Sequence, residues 1–336
     1  MPGPAPEPRH TPEPTAPAAN ERTPNPAEER TPNPVGELDE SPDRAQNQNP
    51  NRASNQDDRA PKQNPVWDPN QYLRHAGHRS RPFHDLLARV PPLPVPQGAA
   101  PRIADLGCGP GNMTAVLARR WPTARVTGLD NSAEMLDRAR RYHAGATEGG
   151  GTVDFVLADA ARWTPDPAEP YDLLFSNATL QWVPEHVERF ADWLTGIRPG
   201  GTFAFQVPGN HDAPSHALMR QLATSLRWSS KLAGKLRLDK PVLEPAEYLD
   251  RLAALGCRTD AWETTYLHQL DGDDPVLDWV MGTGLRPLLT ALADDPEACD
   301  AFLAEYRALL REAYPRRSYG TVLPFRRVFV VAWKPL

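Results

Sequence analysis

The chain has little cysteine. Among its 336 residues there are three, Cys108, Cys257 and Cys299, far apart and with no CxxC pair. That argues against a disulfide framework and against a cysteine-ligated zinc site, and it fits a reducing, cytoplasmic setting. No run of 18 apolar residues occurs, so no membrane-spanning helix is expected. The N-terminus has no basic segment followed by an apolar core, so no secretory signal is expected either. Positive charge is not in surplus. Lys and Arg number 37 against 43 Asp and Glu, for a net charge of -6, which disfavours general nucleic-acid binding.

What the chain does have is proline, 39 residues of it, unevenly placed. Residues 1–65 hold a large share, mixed with Glu, Asn, Gln and Arg and almost no large apolar residue, and RTPNP occurs at 22 and again at 30. Such a segment buries too little apolar surface to offset its conformational entropy. A disordered, partly polyproline-like tail is expected there, either a solvated extension or a docking arm. The folded domain is expected over 66–336.

From Arg102 short apolar runs alternate with amphipathic helices. Strands are predicted at 102–107 (RIADLG), 124–130 (ARVTGLD), 153–159 (VDFVLAD), 171–177 (YDLLFSN) and 202–208 (TFAFQVP). Helices are predicted over 112–120, 131–142 with Ser132 as N-cap, and 185–197. This rhythm specifies an α/β fold: a mostly parallel sheet covered by helices on both faces, with ligands beyond the carboxyl ends of the strands. After Pro208 the rhythm breaks. Helical insertions are expected at about 210–257 and 272–315, separated by a strand at 260–270, and the last strand is TVLPFRRVFVVAW, 321–333. The insertions read as a lid inserted after the fifth strand.

The segment IADLGCGPGN (103–112) carries three glycines in five positions directly after a strand. A dinucleotide site calls for GxGxxG. Here the spacing is D-x-G-x-G-x-G over Asp105, Gly107, Gly109 and Gly111, which argues against a nicotinamide-dependent oxidoreductase. An acidic residue two places before the first glycine suits an ammonium better than a pyrophosphate. Acidic or amide residues recur at successive strand ends: Asp130 in GLD, Asp159 in LADA and Asn177 in FSNATLQWV.

On these residues the chain resembles the class I S-adenosylmethionine-dependent methyltransferases, whose sheet is Rossmann-like and seven-stranded. The resemblance implies S-adenosylmethionine as cofactor. It implies that Asp130 grips both ribose hydroxyls, that Asp159 contacts the adenine amino group and that Asn177 lies beside the reactive methyl. Asn131 and Ala160, next to two of these, join the same cofactor-binding set. An interaction protein without catalysis would not need this set.

The flanks narrow the resemblance. WDPNQYLRHAGHRSRPFHDLLARV (67–90), NATLQWVPEH (177–186), TTYLHQL (264–270), DWVMGTGLRP (278–287) and FRRVFVVA (325–332) are similar to the trans-aconitate 2-methyltransferase family, over roughly 66–334. The tail, GATEGGG (145–151) and SSKLAGKLRLDK (229–240) depart from it. The resemblance implies methyl transfer to one carboxylate of trans-aconitate, giving the monomethyl ester. A carboxylate is already ionised at neutral pH and needs no general base. A polycarboxylate calls for guanidinium forks, and Arg79, Arg81, Arg286 and Arg327 are the candidates. An Arg on the attacking oxygen would hold the charge that must be given up. Weaker donors, Tyr72, Gln181, Tyr266 or His268, are therefore expected to orient that oxygen. The alternative acceptor is another small carboxylic acid or a secondary metabolite; an alcohol or phenol would require a base, for which His268 is the candidate. Arg326 is expected to face away from Arg327. His75 and His78 have no carboxylate or cysteine nearby to complete a ligand set, so no metal is expected. Trp67, Tyr72 and Trp182 either cover the cofactor or pack in the core. A monomer is expected, with no nucleic-acid or membrane partner.

Overall fold

The computed structural model describes residues 76–95, 98–236, 240 and 242–336, with the backbone alone at 76–79. The tail read at 1–65, together with Trp67, Tyr72 and His75, lies outside the described residues. So do the side chains of His78 and Arg79.

The elements in chain order are α1 (Ala76–Leu87), β1 (Arg102–Leu106), α2 (Thr114–Arg120), β2 (Arg125–Asp130), α3 (Ala133–His143), β3 (Gly145–Ala146), β4 (Thr152–Leu157) and β5 (Tyr171–Asn177). Short 3-10 turns at Leu180–Trp182 and His186–Arg189 lead into α4 (Phe190–Thr195) and β6 (Ile197–Pro208). Then come α5 (Pro214–Ala223), α6 (Ser229–Leu232), α7 (Pro245–Ala254), β7 (Arg258–Leu270), α8 (Pro275–Met281), α9 (Arg286–Ala291), α10 (Pro296–Ala313) and β8 (Thr321–Trp333).

The strands form one sheet in the order β3-β4-β2-β1-β5-β6-β8-β7. β4, β2, β1, β5 and β6 pair in parallel, while β8 and β7 run antiparallel at one edge. Among the described residues the sheet has eight strands where seven were expected. The addition is the two-residue β3, in which GATEGGG folds back antiparallel on β4. Glycine makes that turn possible: a Cβ on Gly151 would lie 2.3 Å from the Ala124 carbonyl oxygen.

Central strands buried on both faces need near-continuous apolar runs, and β1 and β5 supply them. β8 shows the two faces separately, because side chains alternate along a strand. Val328, Val330 and Ala332 join Phe190, Trp193, Phe203, Phe205 and Tyr248 on one face. Phe329 and Val331 join Phe83, Leu86, Leu136 and Phe175 on the other. Ser132 caps α3 as its sequence predicts, its hydroxyl accepting from Met135 N at 3.3 Å. The helix read at 185–197 is shorter: it begins as a 3-10 turn, and Ile197 already belongs to β6.

The two insertions behave differently along their length. α7 carries Tyr248 and Leu252 into the core of the sheet. α5, α6, α8, α9 and α10 instead build a third core of their own from Met219, Trp228, Leu232, Trp279, Leu288, Phe302 and Tyr306, seated on Leu270, Leu323 and Phe325 of β7 and β8. Among the described residues, no helix is long and apolar enough to cross a membrane.

Candidate active site

The site is built at the carboxyl ends of the parallel strands. After β1 the chain makes three left-handed steps, at Gly107 (φ 79°), Gly109 (φ 55°) and Gly111 (φ 80°). Residues with a Cβ resist that conformation at a cost of about 1–2 kcal/mol, which is one reason for glycine. Packing is the other. A Cβ on Gly107 would lie 2.1 Å from Thr179 Oγ1, and one on Gly111 would lie 2.8 Å from the Phe155 ring. Gly109 differs, since no atom lies within 4 Å of its Cβ position. The loop is therefore packed from behind at two glycines and open at the middle one.

Asp105 is buried and accepts a hydrogen bond from Thr114 Oγ1 at 2.6 Å. Burial, helped by the nearby Asp130, pushes its carboxyl up to about 7 against the pull of that hydrogen bond. Asp130, at the end of β2, is half-buried. Its Oδ2 accepts from Gly109 N at 2.8 Å and its Oδ1 from Ser132 N at 2.9 Å. Burial raises its pKa, and those N–H groups pull it back. The Asn131 N–H also pulls on this carboxylate, and its two oxygens together have about four acceptor positions, so the group still has room to accept from a hydroxyl. Asn131 is exposed. Asp159 does not end β4; it follows Leu157 by two residues, in a turn where its Oδ1 accepts from Ala161 N at 3.0 Å. It is exposed, and Ala160 beside it is buried. An open glycine beside a carboxylate acceptor at the next strand end fits a nucleoside whose free ribose hydroxyls donate to that carboxylate.

β5 ends at Asn177, and Ala178 then turns left-handed (φ 56°). Asn177 Oδ1 accepts from Gln206 Nε2 at 2.6 Å, and Gln206 Oε1 accepts from Arg327 Nη1 at 3.3 Å. Gln206 and Arg327 are both buried. Gln181 is half-buried and donates to the Ala178 carbonyl at 2.6 Å. Gln206 escapes the sequence reading. Its signal is there all the same: a lone amide in the apolar run TFAFQVP.

The remaining expected residues fall into two groups. Tyr266 is buried and donates to Asp85 Oδ2 at 2.6 Å. Arg81 covers its ring at 5.1 Å and places Nε 3.8 Å from the same carboxylate. Burial and Asp85 together push the Tyr266 phenol well above its usual range. His268, also buried, stacks on Tyr266 at 6.1 Å and on Trp279 at 4.9 Å. Arg286 is half-buried at the start of α9. It follows Gly284, where a Cβ would lie 3.2 Å from His216 Nε2 of α5. Burial lowers His216 to about 4, with Arg220 and His211 adding to that. Arg326 faces away from Arg327, as alternation requires, and pairs with Glu263 and Glu244. Trp182 is exposed in the 3-10 turn after Asn177. Tyr72 and the Arg79 side chain lie outside the described residues.

The chain was also compared with known proteins. A family described as a methyltransferase domain matches residues 103–201, the stretch from the glycine loop to the start of β6. Trans-aconitate 2-methyltransferase of Streptomyces coelicolor is 65% identical over 275 residues, 82% of this chain and 89% of that protein. The Streptomyces avermitilis protein of the same name is 65% identical over 82% of this chain and 99% of its own length. That of Rhodococcus jostii is 49% identical over 80% and 99%. The glycine loop and the acidic strand ends lie inside the matched methyltransferase domain, and at 65% identity over 82% of its length the chain belongs to the trans-aconitate 2-methyltransferase family.

Proposed function

We propose that the protein transfers a methyl group from S-adenosylmethionine to one carboxylate of trans-aconitate, giving the monomethyl ester and S-adenosylhomocysteine. The observation that carries this is the 65% identity to trans-aconitate 2-methyltransferase across 82% of the chain. When bound, S-adenosylmethionine supplies a methyl group made electrophilic by its sulfonium.

The chain's own residues do the rest. The Gly107–Gly111 turn lets the nucleoside lie against backbone. Asp130 accepts from the ribose hydroxyls, with Asn131 beside it, and Asp159 and Ala160 border the adenine. Asp105 lies behind the glycine turn, towards the amino-acid end of the cofactor. Asn177 closes the floor at the methyl.

The acceptor arrives ionised, so no residue has to remove a proton from it. Attack annihilates charge, because carboxylate and sulfonium become ester and thioether. A dry site and fixed geometry then matter most; positioning of this kind is worth about 7–11 kcal/mol at its limit. Arg79, Arg81, Arg286 and Arg327 hold the two carboxylates that do not react. Neutral or weaker donors, among Tyr72, Gln181, Tyr266 and His268, orient the one that does. Residues 66–336 form the catalytic domain, and α5, α6 and α8–α10 form the lid that excludes water. The enzyme acts as a monomer in the cytoplasm.

Purified protein with S-adenosylmethionine and trans-aconitate, followed by mass spectrometry of the acid, tests the reading. Parallel reactions hold cis-aconitate, citrate and isocitrate. The expected result is one added methyl on trans-aconitate with matching S-adenosylhomocysteine. Cofactor binding with no methylated acid in any reaction would overturn the acceptor and leave the fold intact.

A further inference from the structure

Three buried or half-buried polar side chains cross three adjacent strands. Asn177 pairs with Gln206 between β5 and β6, and Pro208 of β6 pairs with Arg327 of β8. Their hydrogen bonds run in one direction only. A guanidinium has donors and no acceptor, so Arg327 must face the oxygen of the Gln206 carboxamide; Nη1 to Oε1 is 3.3 Å. That leaves the Gln206 NH2 facing Asn177, and Nε2 to Oδ1 is 2.6 Å. The Asn177 oxygen is engaged by Gln206, which leaves its NH2 as the end available to another partner. Gln206 also fixes the backbone at this corner. Its carbonyl accepts from Ala178 N at 2.9 Å, at the left-handed residue that follows Asn177. Gln206 is 1% exposed and Arg327 5%, so water has little chance to substitute for either partner.

We propose that Gln206 is a positioning residue for methyl transfer: it relays the donor-only polarity of Arg327 to Asn177, so that Asn177 presents N–H and not C=O to the reacting carboxylate. The inference rests on the acceptor reading above. A neutral N–H is the donor this reaction needs. It orients a carboxylate oxygen without the full ion pair that would retain the charge being annihilated. A reversed Asn177 would set its own oxygen against the incoming carboxylate.

The test is a double-mutant cycle on the full chain, with S-adenosylmethionine and trans-aconitate. Gln206→Met removes both hydrogen bonds. Gln206→Glu keeps the shape and the Arg327 contact but offers Asn177 only acceptors, which forces its carboxamide over. Each is expected to lower kcat about 100-fold, the lower end of what loss of one preorganised donor costs. Affinity for S-adenosylhomocysteine should stay within about threefold of wild type, a separation that a merely structural role would not produce. In an Asn177→Ala background either change should cost less than about threefold more, because its route is already gone. The thermal midpoint of each variant shows that it is folded, and Gln206→Glu serves if the Met variant is not. Wild-type kcat in both variants would overturn the proposal. So would a full loss repeated in the Asn177→Ala background, or a parallel loss of cofactor affinity. If the wild-type protein itself leaves trans-aconitate unmethylated, the acceptor reading fails, and the proposal falls with it.

Discussion

The two halves of the site are made from different materials. The half at β1, β2 and β4 is built from backbone: three left-handed glycines, main-chain N–H groups on Asp130, and carboxylates at or just after strand ends. The half at β5–β8 and the helical insertions is built from side chains that meet across the fold. Asn177 and Gln206 are 29 residues apart, Gln206 and Arg327 121, and Tyr266 and Asp85 181. Backbone recognition suits a ligand whose shape does not change from one enzyme to the next. Side-chain recognition suits an acceptor that must be told from its near relatives.

The comparison breaks first at the glycines. Gly107→Val places a branched side chain on Thr179 and in a left-handed backbone. Conformation and overpacking together cost about 2–5 kcal/mol. The thermal midpoint should fall by several degrees, and S-adenosylhomocysteine binding, followed by calorimetry, should be lost. Asp130→Asn comes next. It removes charge-assisted hydrogen bonds worth about 1.5–3 kcal/mol each. S-adenosylhomocysteine affinity should drop about 10- to 100-fold while KM for trans-aconitate moves less than about twofold. Arg286→Ala is the mirror image: KM for trans-aconitate should rise about 10-fold, with cofactor affinity within about twofold. If either substitution moves both constants equally, the two halves are not separate.

The smallest effect is on stability and comes from Asp105. Its carboxyl is raised to about 7 in the folded protein, against about 4 when unfolded. The folded state therefore holds a proton that the unfolded state gives up. Stability from this group is full below about pH 4 and is lost as pH rises to about 7. Asp105→Asn should flatten that slope and raise the thermal midpoint at pH 8 by a few degrees. Cofactor affinity should fall, which would mark Asp105 as a residue kept for function at the expense of stability. Melting curves from pH 4 to pH 8 on both proteins decide it.

The sequence made the backbone-built half legible because its signals are local. DLGCGPG and GLD sit on contiguous residues at strand ends, and left-handed turns leave glycine as their mark. β8 was read with its observed bounds, since alternation along a two-sided strand is a strong period. The side-chain half was harder. Arg327 and Asn177 were visible one at a time, but Gln206, which joins them, is one amide in an apolar strand, and only the β5-β6-β8 order gives it meaning. Asp85 was missed for the same reason, its partner Tyr266 lying at the far edge of the sheet. β3 escaped because a two-residue strand has no periodicity. α7 was grouped with the other inserted helices, since an amphipathic pattern does not say which core receives its apolar face.

In the proposed reaction the acceptor is an already ionised carboxylate, and no residue removes a proton from it. The direct measurement is kcat for trans-aconitate, with both substrates saturating, from pH 6.5 to pH 9. A flat profile is expected in Asp105→Asn, and in the wild type no change beyond the titration of Asp105 near 7, because neither the carboxylate nor the sulfonium titrates there. A tenfold rise per pH unit in Asp105→Asn, levelling at an apparent pKa within that range, would reveal a general base and contradict the proposed reaction.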